Sequence, residues 1–132
     1  MVKKLHWVVI AAVVSLSCEK PWAETTAAVA AQATAELECA YAEACPDVVT
    51  DSGEGDYGVY WDDLTTEECV AYRNADHMAY ERHCRRQGVV TFDGCGWAKC
   101  TDDKREAMKT CSGYRTGCAL RHYFPGCDFS ET

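Results

Sequence analysis

Residues 65–88 read TTEECVAYRNADHMAYERHCRRQG, and their pattern decides the fold class. Thr65 with Glu68 three positions on is a capping-box pattern, in which each residue satisfies a backbone N–H of the other. Glu67 and Glu68 place negative charge at the positive end of the helix dipole, and Arg82, Arg85 and Arg86 place positive charge at its negative end. Gly88 is the stop. The spacing predicts a helix over 66–87, with a buried stripe of Cys69, Tyr72, Asp76 or Ala79, Tyr80 and Cys84.

Toward the N-terminus, Glu19–Thr34 is rich in Ala and Thr and reads as a tether running into a first helix. Val29, Ala33, Leu37, Ala40 and Ala44 recur at helical spacing, and Pro46 ends that helix near Cys45. Pro46–Leu64 shows no period, and Tyr57–Trp61 is its one candidate strand. Toward the C-terminus, Val89–Phe92 is a second candidate strand, followed by a Gly94-Cys95-Gly96 turn. Thr101, Asp102 and Asp103 are caps for a third helix ending near Cys111, and Gly113 is its stop. Tyr114–Phe124 is a last short helix before the Pro125-Gly126 turn. The expected fold is mainly α: a small disulfide-stapled bundle of three to four helices, with long loops and room for one short β-hairpin.

Cysteine sets the compartment. The chain of 132 residues carries ten cysteines. Cys39, Cys45, Cys69, Cys84, Cys95, Cys100, Cys111, Cys118 and Cys127 all follow Cys18, and no C-x-x-C pair occurs. The usual zinc, thioredoxin-like and haem-attachment signatures are therefore missing. The same density is typical of exported domains too small to be held by an apolar core alone. Pairing is open, although helix rise restricts it. Across a straight antiparallel pair, Cys45 and Cys69 lie near one end and can bridge. Cys39 is about 9 Å from Cys45 along the first helix, and Cys84 about 22 Å from Cys69 along the second. Cys45–Cys69 and Cys39–Cys84 cannot both form, and Cys84 is expected to pair with a cysteine of the C-terminal half.

The formal net charge is −8, which excludes a phosphate-tracking basic face and with it nucleic acid as a partner. No Lys or Arg occurs between Glu24 and Tyr72, whereas Arg73–Arg121 is mildly basic. Attraction between the two halves within one fold accounts for this asymmetry.

The N-terminus predicts export. Lys3 and Lys4 precede the apolar run Val8–Val14, and Ser15, Leu16, Ser17 and Cys18 follow. This is a secretory signal over 1–17, too short to span a bilayer, which needs about 20 residues. A tether over 18–34 and a cysteine-rich domain over 35–132 complete the organisation. Ser15 and Ser17 suit an ordinary signal peptidase, which leaves a free Cys18 thiol and ten cysteines for five bridges. The same segment, with the Ala/Thr tether and Cys39-x5-Cys45 followed by Cys69 after a capped start, resembles the small cysteine-rich lipoproteins of bacteria. That resemblance implies lipidation of Cys18, a membrane partner through the anchor, nine remaining thiols, and a location without an activity. Ser15 stands where those signals usually carry an aliphatic residue.

Chemistry-bearing residues are few. Asp76, His77, Glu81 and His83 cluster in the second helix; His77 and Glu81 share a face suited to a metal or to acid–base work. His77 and His83, six apart, do not share one. The order is not H-E-x-x-H, and a solvated, salt-bridged face is the expected state. Asp51, Glu54, Asp56, Asp62 and Asp63 do not follow the calcium-loop spacing. No metal, cofactor or catalytic residue is expected. Asp51, Glu54, Asp56, Tyr57, Tyr60 and Trp61 form the candidate interaction loop, suited to a protein partner. The sequence points to a non-catalytic exported envelope or extracellular protein with a binding or structural role. A secreted disulfide-rich inhibitor or toxin is the alternative, and a small secreted hydrolase using His77 and Glu81 the least favoured.

Overall fold

The structure is a computed structural model that describes residue 18 and residues 23–46, 64–112 and 118–130. Three α-helices and one short 3-10 helix carry the fold: α1 Ala27–Ala44, α2 Thr66–Arg86, α3 Gly94–Met108, and the 3-10 helix Leu120–Tyr123. The mainly α, disulfide-stapled expectation holds. No strand occurs among the described residues. Val89–Phe92 instead links α2 to α3, with the Val89 N–H returned to Cys84 O at 2.9 Å. The Tyr57–Trp61 candidate lies outside the described residues.

Each α-helix starts where a side chain satisfies its first amides. Thr26 Oγ1 accepts from Val29 N at 3.3 Å for α1. The capping box of α2 is complete: Thr65 Oγ1 accepts from Glu68 N at 3.1 Å, and Glu68 Oε1 accepts from Thr65 N at 3.0 Å. Gly88, at φ +81°, ends that helix in the left-handed conformation that glycine adopts without strain. Replacing Thr65 by Ala is expected to lower the unfolding free energy by about 1 kcal/mol, read from a urea titration. α3 begins seven residues before the expected Thr101, because Asp93 Oδ1 accepts from Gly96 N at 3.0 Å. The glycines taken for a turn are its first turn. Gly96 is required there, since a Cβ would stand 3.1 Å from Asp93 Cγ and 3.3 Å from Tyr123 Cδ1. α3 also stops earlier than expected, at Met108. The chain tightens through i→i−3 bonds to Cys111, whose φ is +53°.

α1 is the central element. Contacts along α1 and α2 run in opposite senses: Cys39 bridges Cys69, while Gln32 bonds Asn74 and Ala30 meets Cys84. α3 runs parallel to α1. Trp97 Nε1 donates to Thr34 Oγ1 at 2.7 Å, Lys104 lies over the Tyr41 ring, and Cys45 bridges Cys111. The main core joins Ala30, Ala31, Cys84, Trp97, Ala98, Leu120 and Phe124, and a second cluster surrounds Tyr41 and Cys45. Ala30, Ala31 and Ala35 are fully buried, so their small side chains let the neighbouring elements close onto α1.

Both expected stripes need correction. Val29 is 60% exposed and Ala40 and Ala44 are exposed; the buried face of α1 holds Ala30, Ala31, Thr34, Ala35, Leu37, Glu38, Cys39 and Tyr41. An alanine-rich helix has little apolar asymmetry, and its inward-bridged Cys39 and Cys45 fix the rotation. The segment read as tether contributes Ala30, Ala31 and Thr34 to the interior. On α2 the buried line is Cys69, Arg73, His77, Glu81 and Cys84, while Tyr72 is 40% exposed.

All ten cysteines are bridged: Cys18–Cys95, Cys39–Cys69, Cys45–Cys111, Cys84–Cys127 and Cys100–Cys118. Cys84 pairs with Cys127, in the C-terminal half as expected. Cys69 takes Cys39, not the Cys45 that a straight antiparallel pair places near it, and Cys45 bridges Cys111 instead. The Cys84–Cys127 bridge straps the tail to α2. There the Gln87 side chain pairs both ways with the Asp128 backbone, and Phe129 stacks on His83 at 5.3 Å. Cys18 Sγ is committed to Cys95, and a lipid thioether would need the same sulfur. The expected anchor at Cys18 and this bridge exclude one another.

Candidate functional site

The inward line of α2 runs in single turns from Cys69 through Arg73, His77 and Glu81. Bridges at Cys69 and Cys84 hold this face against the rest of the fold, so three ionisable side chains go inside with the cysteines. The residue that makes this tolerable is Glu38 of α1, itself 6% exposed. Its Oε2 accepts from Arg73 Nη2, and its Oε1 is bonded to His77 Nε2. An ionised carboxylate has no proton to give, so His77 Nε2–H is the donor. His77 is 1% exposed, and its Nδ1 has no hydrogen-bond partner among the described residues. Asp76 Oδ2 stands 3.6 Å from Arg73 Nη1 at the rim. From α3, Lys104 is 4% exposed, with Nζ 5.9 Å from the Tyr41 ring centroid and within the field of Glu38 and Arg73. One turn beyond His77, Glu81 is paired to Arg85.

The electrostatics follow from burial and from this neighbourhood. Burial alone pushes the Glu38 carboxyl upward. The hydrogen bond and charge of His77, with the charge and hydrogen bond of Arg73, outweigh it and hold Glu38 below the usual carboxylate range. Burial pushes Lys104 below the ordinary lysine value; Glu38 opposes this and Arg73 adds to it.

A carboxyl depressed by folding binds fewer protons in the native than in the unfolded chain. Its stabilisation is therefore fully present above the ordinary carboxylate pKa and disappears as pH falls through the folded value. Lys104 has the same sign at the other extreme: stability rises as pH climbs from its folded value toward 10.5. Acid titration followed by circular dichroism is expected to show loss of helix below about pH 4, with a shallower acid limb in Glu38→Gln. An unchanged limb in that variant removes Glu38 as the acid-sensitive group.

The expected solvated face of His77 and Glu81 is thus an interior one. Its imidazole and carboxylate are joined to other side chains rather than presented to a substrate. His83 lies elsewhere, bonded to Asp128 O at 2.8 Å, so the two histidines do not act together. No group of three or more metal-ligating side chains occurs among the described residues. Asp51, Glu54, Asp56, Tyr57, Tyr60 and Trp61 of the candidate interaction loop lie outside the described residues. Sequence reasoning missed Glu38 and Lys104, whose partners come from other helices. The i, i+4 line from Cys69 marks Arg73, His77 and Glu81 as neighbours of the bridged face, but it carries no signal for Glu38 or Lys104.

No known family model, curated protein or solved structure matches this chain. Five bridges suit an oxidising, extracytoplasmic environment. No described helix is long and apolar enough to cross a membrane.

Proposed function

We propose that this is an exported, non-catalytic protein with a binding or structural role, built to keep one shape outside the cell. The observation that carries this reading is the state of its most reactive residues. Glu38 and Glu81 are buried in ion pairs, His77 is buried in a hydrogen bond to Glu38, and every thiol is oxidised, so the side chains best suited to chemistry serve cohesion.

The form we favour is soluble, cleaved before Cys18 with its thiol kept for Cys95; the lipid-anchored envelope form is the alternative. An intact mass of the native protein separates them. The soluble form has the mass of the cleaved chain less ten hydrogens. Added acyl mass with a free thiol on Cys95 reverses the assignment.

The segment we assign to partner contact is Asp47–Asp63, where the sequence interleaves acids with Tyr57, Tyr60 and Trp61. Deletion of Ser52–Gly58 is expected to abolish capture of an envelope or extracellular partner in a pull-down. Undiminished capture by the deleted form would transfer the role to another surface.

A further inference from the structure

Glu38 is the chain neighbour of Cys39, and Arg73 lies one helical turn beyond Cys69. The Cys39–Cys69 bridge, with Cα atoms 6.0 Å apart, and the Glu38–Arg73 ion pair therefore report one and the same register of α1 on α2. While the helices form and dock transiently during oxidation, other registers compete.

Cys45 stands six residues after Cys39. An α1 shifted by about 9 Å, and turned accordingly, offers Cys45 to Cys69. Every α1 residue then takes the place of the one six before it, so Ala44 replaces Glu38. Arg73 and His77 would be buried against a methyl group, and a buried cation without its carboxylate is among the costliest arrangements in a protein. A register joining Cys39 to Cys84 fails from the other side: it brings Gly88, beyond the end of α2, to the place of Arg73 and leaves Glu38 without its cation. Apolar packing discriminates far less. The alanines on α1's buried face, Ala30, Ala31 and Ala35, pass a neighbour with little change of shape, and more alanines flank them.

From this register argument we infer that Glu38, with Arg73 and His77, selects the Cys39–Cys69 pairing during oxidative folding. About 945 complete pairings of ten cysteines exist, and this charge closure removes the register errors of the two longest helices.

The bond-forming chemistry is ordinary exchange with a small-molecule disulfide such as oxidised glutathione. The thiolate of one cysteine attacks it and releases one small thiol. The second cysteine's thiolate then attacks the mixed disulfide and releases another. Two protein thiols are oxidised, one small disulfide is reduced to two thiols, and the protein's two protons end on the departing thiolates. The ion cluster takes no part in electron transfer; it decides which sulfurs meet.

The test is refolding of the reduced full chain in a glutathione buffer, with trapping by alkylation and bridge mapping by peptide mass. Glu38→Gln is expected to lower the ratio of Cys39–Cys69 to Cys45–Cys69 about tenfold in the trapped species. Leu37→Ala is the control: its neighbouring side chain is buried and apolar, so it weakens packing without touching the ions. It is expected to keep the wild-type ratio. A wild-type ratio in Glu38→Gln, or an equal fall in Leu37→Ala, overturns the inference.

Discussion

In excess water-soluble phosphine the protein is expected to lose its helical circular dichroism at room temperature, as a cooperative unfolding rather than a local loosening. The bridges close long stretches of chain: 77 residues separate Cys18 from Cys95, 66 separate Cys45 from Cys111, and 43 separate Cys84 from Cys127. Each such closure stabilises by about 2–4 kcal/mol, chiefly by constraining the unfolded chain. Overlapping loops do not add in full. Even so, their joint contribution is comparable to the whole stability of an ordinary domain, about 5–15 kcal/mol. What remains after reduction is thin. Trp97, Leu120 and Phe124 are the large apolar side chains of the main core, and much of the rest is alanine and half-cystine. The Cys100–Cys118 pair closes the shortest loop, 18 residues, so its removal as a Ser pair is expected to cost least. Retained helix with all ten thiols titratable would reverse this assignment of stability.

The extent to which this fold is legible in the sequence follows from how local each signal is. The start of α2 is written in Thr65 and Glu68 alone, and both bonds of the capping box form as the pattern requires. Cysteine density is enough to expect the five bridges, which suit an oxidising environment, and the C-terminal partner of Cys84 is found as expected. Gly94 and Gly96 carry a turn signature that hides the start of α3, whereas the deciding feature is the Asp93 side chain folding back onto Gly96 N. The stripes failed for a different reason. Apolar periodicity assumes that ions face water, and α2 has Arg73, His77 and Glu81 inside while Tyr72 remains 40% exposed. That exchange is decided by Glu38, 35 positions before Arg73 in the chain, and a helical wheel drawn for α2 alone contains no trace of it.

Glu38→Ala is expected to be the most damaging single substitution outside the cysteines. It removes the one carboxylate shared by Arg73 and His77, with Lys104 also in its field, and leaves basic groups sealed between helices. Breaking a buried ion pair from one side costs about 3–5 kcal/mol, most of it the desolvation of the charge left behind. In a protein held largely by disulfides, that loss does not release the chain. It is expected to give a bridged but loosened state: denaturant midpoint sharply lowered, five bridges intact by mass, and faster amide exchange along α1 and α2. The complementary variant separates cohesion from charge. With Glu38→Leu, Arg73→Met and His77→Leu together, the desolvation cost of those three groups disappears, Lys104 loses the attraction of Glu38 and the repulsion of Arg73 at once, and stability is expected to match or exceed that of the wild type. The acid limb assigned to Glu38 vanishes with it. Glu38→Ala within about 1 kcal/mol of wild type would show that water reaches the cluster and that its charges are no more costly than exposed ones.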